Sequence, residues 1–376
     1  MPGYELINSL EKKALTDIFK QGSVFFAHGF GKIRKKYHVR EFENSCEKYF
    51  NVKYCLMVSS GTAAIKIGLK SLGIKNGDEV ITQSFNFIAT IEAILDAGGI
   101  PRITSVDESL NMCPIDLKKK INKKTKAIIP VHMLGFSADL QNIKSLAKKK
   151  KIKILEDNCE SIGAKFKKKY LGIHGNVGVF SFDFGKIITT GEGGLILTND
   201  KKIFNYCKQY HDHGHLNIPT LSRGNDKVKM HGFNYRATEL QGAIGKVQLN
   251  KLKILLRDNK IKYNILKKIL EKKFLIRKIH KDTLPNYDTF IFFEKNNEKK
   301  KRIVNLLKRF GIGTKNLPDA LKWHCSYYWK HCLNKREINN SLSTKKILEQ
   351  AIAIPINYRV KALKYERLAK KILKLK

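Results

Sequence analysis

A lysine at position 186 lies where a side chain could do covalent chemistry. It follows a predicted strand and precedes a glycine-dense turn, in the segment Ser181-Phe-Asp-Phe-Gly-Lys-Ile-Ile-Thr-Thr-Gly-Glu-Gly-Gly194. A lysine that faces a site can form an imine with a carbonyl compound. The alternative is another surface lysine in a hairpin, which the flanking glycines make less favourable. We therefore take Lys186 as a candidate catalytic residue.

Two further segments could bind charged groups. Asp157 follows a predicted strand, where a carboxylate either caps a helix or ion-pairs, or else lies against a cationic ring nitrogen that would lower its pKa. Gly61 and Thr62, in Ser59-Ser-Gly-Thr-Ala-Ala64, open a predicted helix and are small enough to let backbone amides approach a phosphate. For each segment taken alone, the structural role is the more common one.

Three alternate histidines, His211, His213 and His215, could share one face of a strand and bind a metal. No matching cysteine or aspartate pattern accompanies them, so the sequence predicts no metal site.

These residues follow strands in an alternating series of strands and helices. Such alternation predicts an α/β fold with a mainly parallel sheet covered by helices, and ligands bind at the carboxyl edge of such a sheet. The predicted strands are 54–58, 79–82, 102–106, 127–131, 152–156, 177–182 and 194–198; the predicted helices between them are 61–72, 89–97 and 140–149. Ser9 is predicted to cap an N-terminal helix. Residues 1–250 are expected to form a large domain, and residues 251–376 a small α+β domain with helices at 251–272 and 298–310 around a strand at 289–293.

The composition excludes several classes of protein. The formal net charge is +40, but only twelve of the 73 basic residues are arginine and the lysines are dispersed, which disfavours a nucleic-acid partner. No run of about 18 apolar residues is present, so no membrane span is expected. The N-terminal residues do not resemble a signal peptide, and the seven cysteines form no CxxC, so we expect a cytoplasmic protein without disulfides.

Taken together, six motifs resemble the DegT/DnrJ/StrS sugar aminotransferases over roughly residues 1–360. They are SSGTAAIKIGL (59–69), TQSFNFIAT (82–90), VHMLG (131–135), LEDNCESIGA (155–164), FSFDFGKIITTGEGG (180–194) and GFNYRATELQGAIG (232–245). The resemblance implies fold-type I architecture and dependence on pyridoxal 5′-phosphate.

The resemblance also implies roles for individual residues. Lys186 would carry the cofactor as an imine and move a proton, and Asp157 would hold the pyridinium nitrogen protonated. Phe87 would stack on the ring. The phosphate would be held by Gly61, Thr62 and Ser181, together with Asn234 of the neighbouring subunit, so a homodimer with shared active sites is expected. Glu160 stands where many members have Gln or His near the cofactor's 3′-oxygen.

The predicted reaction moves an amino group from glutamate or glutamine to a keto- or aldehydo-sugar. A related branch carries His in place of the lysine and dehydrates its substrate, so Lys186 favours transamination. The chain is also similar to a group that aminates C8 of an oxidised 3-deoxy-octulosonate. The similar segments are the start Met1-Pro-Gly-Tyr-Glu-Leu6, the stretch His211–His215 and the segment from Trp323-His324 through Trp329-Lys-His331. His211, His213, His215, Trp323 and His324 are candidate substrate contacts, although Ala27 replaces an arginine common in relatives. The alternatives are a nucleotide-linked 4-keto-6-deoxyhexose as acceptor, or a non-catalytic cofactor-binding regulator.

Overall fold

A seven-stranded sheet forms the centre of the protein, whose computed structural model describes residues 3–218, 221 and 223–375. Its strands, with those of two small sheets, are β1 (Tyr54–Val58), β2 (Glu79–Gln83), β3 (Ile100–Thr104), β4 (Thr125–Ile129), β5 (Lys153–Asp157), β6 (Lys165–Phe166), β7 (Lys169–Tyr170), β8 (Val177–Ser181), β9 (Gly194–Thr198), β10 (Leu275–Ile276), β11 (Thr283–Leu284), β12 (Thr289–Phe293) and β13 (Ala351–Pro355).

Helices cover this sheet and build the C-terminal part of the chain. They are α1 (Ser9–Lys20), α2 (His38–Phe50), α3 (Gly61–Ser71), α4 (Ala89–Asp96), α5 (Pro114–Lys120), α6 (Leu140–Lys150), α7 (Lys201–Tyr210), α8 (Glu239–Leu270), α9 (Asn297–Arg309), α10 (Leu321–His324), α11 (Lys335–Gln350) and α12 (Ala362–Leu373). None of the helices in the described part of the chain has the length and apolar character that a bilayer crossing requires.

The central sheet has the strand order β1-β9-β8-β5-β4-β2-β3. Only β9 runs against the other six strands, since β1 and β8 both pair with it antiparallel and the remaining pairs are parallel. The predicted mainly parallel α/β sheet is therefore confirmed. The carboxyl ends of β1, β2, β5 and β8 meet at one edge, because parallel strands all point the same way. The motifs that follow these strands are thereby brought together.

The 32-residue helix α8 joins two packed regions. Its first half, through Leu249 and Leu252, packs in the core beside α2, and its second half, through Tyr263 and Leu266, packs with β12 and α12. At 1.5 Å per residue it is about 48 Å long. The boundary predicted at residue 250 falls within this helix, and the division into two domains stays a prediction.

The N-terminal segment contacts the turn that carries Lys186. The Gly3 amide donates to the Lys186 carbonyl at 2.6 Å, and the Tyr4 ring stacks on Phe184 with centroids 4.8 Å apart. Glu5 Oε2 accepts the Tyr358 amide at 2.7 Å. The first helix, α1, is capped by Asn8, which forms a capping box with Glu11, so the prediction that Ser9 is the cap was wrong by one residue.

Candidate active site

A cavity of about 410 Å³ opens at the carboxyl edge of the sheet. The strands β1, β2, β5 and β8 each end at it, and the segment after α9 closes it from the C-terminal side. Its polar and aromatic lining includes Ser60, Gly61, Thr62, Asn86, Phe87, Thr90, Asp157, Cys159, Glu160, Ser181, Asp183, Lys186, Glu192, Lys315, Asn316 and His324. Seven residues predicted from the sequence to bind the cofactor, Gly61, Thr62, Phe87, Asp157, Glu160, Ser181 and Lys186, thus lie around one cavity.

Lys186 is held by a tight turn between β8 and β9. Its amide donates to the Asp183 carbonyl at 3.0 Å, while Asp183 Oδ1 accepts the Gly185 amide at 2.9 Å. The Lys186 side chain is 21% exposed, and its Nζ lies 3.8 Å from Glu160 Oε1. Burial alone would lower the pKa of Lys186, but the negative charge of Glu160 and neighbouring groups raises it above its ordinary value. The turn therefore presents an ammonium group to the cavity.

Asp157 is the last residue of β5, and its side chain is fully enclosed. Oδ2 accepts the Thr90 hydroxyl at 3.0 Å and Oδ1 accepts the Cys159 amide at 3.1 Å. The Thr90 hydroxyl is equally close to Asn86 Oδ1, so Asn86 and Asp157 share the single proton of this hydroxyl. A fixed buried carboxylate of this kind is suited to a cationic partner within the cavity.

Close packing at the N-terminus of α3 leaves room only for small residues. Ser60 caps the helix by accepting the Ala63 amide at 3.1 Å, and the next residue is Gly61. A Cβ on Gly61 would lie 2.7 Å from Ser181 Cβ, too close for ordinary contact, and a Cβ on Gly194 would collide with the Ser60 carbonyl. The exposed amides and dipole of a helix N-terminus favour an anion here.

An aromatic ring and a histidine form another part of the cavity wall. Phe87, which follows β2, is 46% exposed, and its ring centroid lies 5.5 Å from that of His324. Burial lowers the pKa of His324. The two tryptophans differ: Trp323 is 61% exposed, whereas Trp329 is buried and donates Nε1–H to the Lys322 carbonyl at 2.9 Å. Of the predicted substrate contacts, only His324 lines this cavity.

Eight of the residues listed above were not predicted as contacts, and three of them are Thr90, Lys315 and Asn316. Thr90 lies within the TQSFNFIAT motif, four residues after Asn86, and helical spacing could have paired the two. Lys315, whose Nζ donates to Asp288 Oδ2 at 2.7 Å, gives no signal in so lysine-rich a chain.

The segment His211–His215 is not a strand, so alternate residues do not share a face as that metal hypothesis required. His211 is buried and ends helix α7, His213 has a left-handed φ of 49°, and His215 Nδ1 lies 3.7 Å from Asp226 Oδ2. Among the described residues, no group of three or more metal-ligating side chains is close enough to hold an ion.

Asn234 is exposed and does not line the cavity of its own chain. Its backbone pairs with Asp212, which binds Arg223 and Arg236. Its predicted role at the neighbouring subunit's phosphate stays a prediction.

The lining residues fit pyridoxal 5′-phosphate. The cavity combines an amine (Lys186), an enclosed carboxylate (Asp157), a helix N-terminus that begins with a glycine packed against Ser181 (Gly61) and an exposed aromatic face (Phe87). These four groups match what the cofactor needs for its aldehyde, ring nitrogen, phosphate and ring face.

The family model "DegT/DnrJ/EryC1/StrS aminotransferase family" matches residues 24–373. GDP-perosamine synthase of Escherichia coli O157:H7 is 34% identical over 271 residues, which cover 72% of this chain and 73% of that protein. GDP-4-keto-6-deoxy-D-mannose 3-dehydratase of Yersinia pseudotuberculosis is 35% identical over 233 residues, which cover 57% of this chain and 59% of that protein.

Solved structures show the same fold. PseC of Helicobacter pylori, an aminotransferase involved in the biosynthesis of pseudoaminic acid, superimposes with a TM-score of 0.81 at 23% identity, covering 98% of this chain and 96% of that one. The resemblance seen in the sequence motifs is confirmed by the family match and by these relatives. The chain therefore belongs to the DegT/DnrJ/EryC1/StrS aminotransferase family and is a pyridoxal-phosphate-dependent aminotransferase.

Proposed function

We propose that this enzyme transfers an amino group from glutamate or glutamine to a keto- or aldehydo-sugar, in the synthesis of cell-surface polysaccharide or lipopolysaccharide. The observation that carries the proposal is the convergence of Lys186, Asp157 and the N-terminus of α3 at Gly61 on one cavity. The names of the relatives, which include a GDP-perosamine synthase, support a sugar as acceptor.

The chain's own residues divide the work of amino transfer. When bound, pyridoxal phosphate supplies an electron sink for the carbon that carries the amino group. Lys186 Nζ takes and returns the proton at that carbon, because it is the amine that the β8–β9 turn presents to the cavity. Asp157 holds a proton on the ring nitrogen through its enclosed carboxylate. Ser181 and the amides after Ser60 would hold the phosphate, and Phe87 would cover the ring.

Position 186 separates transamination from dehydration. The dehydratase relative is 35% identical, so overall identity does not separate the two activities. The dehydrating branch has His where this chain has Lys186, and an imidazole does not form a stable imine with an aldehyde. The lysine therefore favours amino transfer.

For the acceptor we propose an oxidised 3-deoxy-octulosonate, which would give 8-amino-3,8-dideoxy-manno-octulosonate. The support is the similar start of the chain and the Trp323-His324 segment, whose histidine lines the cavity. Met1 and Pro2 of that start lie outside the described residues, but Gly3 contacts the Lys186 turn. The second candidate is a nucleotide-linked 4-keto-6-deoxyhexose, which the name of the perosamine relative favours.

A panel of keto-sugars tests the proposal. The purified enzyme, loaded with cofactor, is incubated with each acceptor and with glutamate or glutamine, and the products are identified by mass spectrometry. We expect an aminated octulosonate and no product from a Lys186→Ala variant. Amination of the nucleotide-linked hexose alone would establish the second candidate. Salt-sensitive DNA binding with no amination of any acceptor would instead indicate a regulator.

We further propose that the enzyme is a homodimer in which Asn234 reaches the neighbouring site. Its exposure, and its distance from the cavity of its own chain, support this arrangement. Light scattering gives the mass in solution. Mixing inactive Lys186→Ala and Asn234→Ala subunits should restore activity, since one of the two shared sites is then intact; no restoration would contradict a shared site.

A further inference from the structure

The carboxylate of Glu160 faces Lys186 across the cavity, whereas the family resemblance implied a contact to the cofactor's 3′-oxygen. Glu160 Oε1 lies 3.8 Å from Lys186 Nζ, and the two side chains are 10% and 21% exposed. Among the described residues, this is the one carboxylate within 4.0 Å of the lysine's ammonium group. Asp183 and Asp157 act on Lys186 only at longer range.

A strained turn that follows β4 holds the carboxylate of Glu160 in place. The Leu134 amide donates to Glu160 Oε2 at 3.1 Å, and Leu134 has a φ of 52°, a left-handed conformation that costs a non-glycine residue about 1 kcal/mol or more. Gly135 follows with a φ of 82°, and a Cβ there would collide with Asn286 Oδ1. Asn286 Nδ2 in turn donates to the Glu160 carbonyl at 3.2 Å. The backbone and side chain of Glu160 are thus held by one packed unit.

A second strained residue approaches Glu160 from the C-terminal part of the chain. Asn316 has a φ of 65°, and its Nδ2 lies 3.5 Å from Glu160 Oε1. Burial alone would raise the pKa of Glu160, but the charges of Lys315, Lys186 and His324, with the Leu134 amide, hold it at about 2. The carboxylate therefore stays ionised at neutral pH and does not itself carry the proton.

We propose that Glu160 is a positioning residue for Lys186: its carboxylate holds the lysine as an ammonium ion, aimed into the cavity, whenever Nζ is not bonded to the cofactor. This inference rests on the proposed function, in which Lys186 returns a proton to the reacting carbon. The ammonium form of Lys186 is the one that can donate that proton, so the ion pair with Glu160 keeps the lysine ready to donate it. Glutamine at this position would accept a hydrogen bond without supplying the charge.

The pair can be tested in the full-length protein freed of cofactor. An acylating reagent reacts only with the neutral amine, so the pH dependence of labelling at Lys186, read by peptide mass spectrometry, gives the midpoint of its titration. An opposite charge at this distance shifts a midpoint by about 1 to 3 pH units, so Glu160→Gln should move the midpoint down by about that much. Covalent capture of added pyridoxal phosphate should become faster at neutral pH for the same reason.

Two further variants show whether the pair itself is responsible. Asp183→Asn removes the same charge from the same cavity without breaking an ion pair, so its shift should be less than half as large. Glu160→Asp keeps the charge on a shorter side chain and should restore most of the midpoint; it also serves if Glu160→Gln does not fold. An unchanged midpoint in Glu160→Gln, or equal shifts in Glu160→Gln and Asp183→Asn, would overturn the proposal. Because labelling needs no sugar, failure of the proposed function would show separately, as absence of amination.

Discussion

Replacing Glu156 by glutamine should destabilise the strand end that carries Asp157. Glu156 is fully buried, and Oε1 accepts the amides of His174 and Gly175, each at 2.6 Å. Oε2 accepts the Gly172 amide at 3.0 Å and lies 3.3 Å from His132 Nε2. The carboxylate is therefore the common acceptor for a whole loop.

The tautomer of His132 decides how glutamine would fit. His132 Nδ1 accepts the Ala138 amide at 3.0 Å, so the ring proton is on Nε2 and points at Glu156 Oε2. The carbonyl oxygen of glutamine could replace Oε1, but its amide group would then face the N–H groups of Gly172 and His132. Two buried donors lose their acceptor, and each costs about 1–3 kcal/mol. We expect a loss of about 2–6 kcal/mol in the free energy of unfolding.

The effect should also depend on pH. Burial alone would raise the pKa of Glu156, but His132 and the loop amides hold it below its ordinary value of 4.5. A carboxyl group whose pKa is lower in the folded than in the unfolded protein stabilises the fold at pH values above its unfolded pKa. This stabilisation is lost as the pH falls through the folded pKa. The difference between wild type and Glu156→Gln should thus be largest near neutral pH and shrink in acid.

Urea denaturation followed by circular dichroism, at neutral pH and at about pH 4, measures both effects. Glu298→Gln is the control, because this carboxylate is 70% exposed and its loss should change stability by less than about 0.5 kcal/mol. A loss below about 1 kcal/mol for Glu156→Gln, or a loss that does not change with pH, would refute the assignment of donors and acceptors.

Three other substitutions test separate parts of the site. Thr90→Val keeps the shape but removes the donor to Asp157 Oδ2, so kcat/KM should fall about 10-fold; an unchanged value would show that Thr90 does not orient the carboxylate. Gly61→Ala places a Cβ 2.7 Å from Ser181 Cβ, so Ser181 or the N-terminus of α3 must move. This overpacking of about 1–3 kcal/mol should weaken cofactor binding about 5- to 150-fold in equilibrium dialysis, whereas equal binding would mean that these residues do not hold the phosphate. Asp212→Asn removes the charge shared by Arg223 and Arg236, and proteolysis between residues 213 and 231 should become faster; unaltered cleavage would contradict this anchoring role.

The sequence predicted the cavity residues that follow strands. Gly61, Asp157 and Ser181 each come directly after a strand or at its end, so a parallel sheet brings them to one edge without further information. Lys186 follows β8 by only five residues and is carried to the same edge.

Other features depend on contacts that no local pattern records. Lys315 and Asn316 reach the cavity from the C-terminal part of the chain, and Asn316 does so through a left-handed backbone conformation. The hypothesis that the alternate histidines of His211–His215 lie on one strand was wrong, because α7 extends to Tyr210 and His211 ends this helix. The position of Glu160 beside Lys186 was equally hidden, because it depends on the strained turn at Leu134.

The segment Gly3–Leu6 links Lys186 mechanically to the other end of the chain. Gly3 is bonded to the Lys186 carbonyl, and Glu5 is bonded to the amides of Tyr358 and Arg359, which follow β13. Three residues, Gly3 to Glu5, therefore connect the segment that follows β13 to the backbone of Lys186. A truncation that removes Gly3 would delete this contact, so it should alter the alignment of Lys186 although none of the residues that line the cavity is changed.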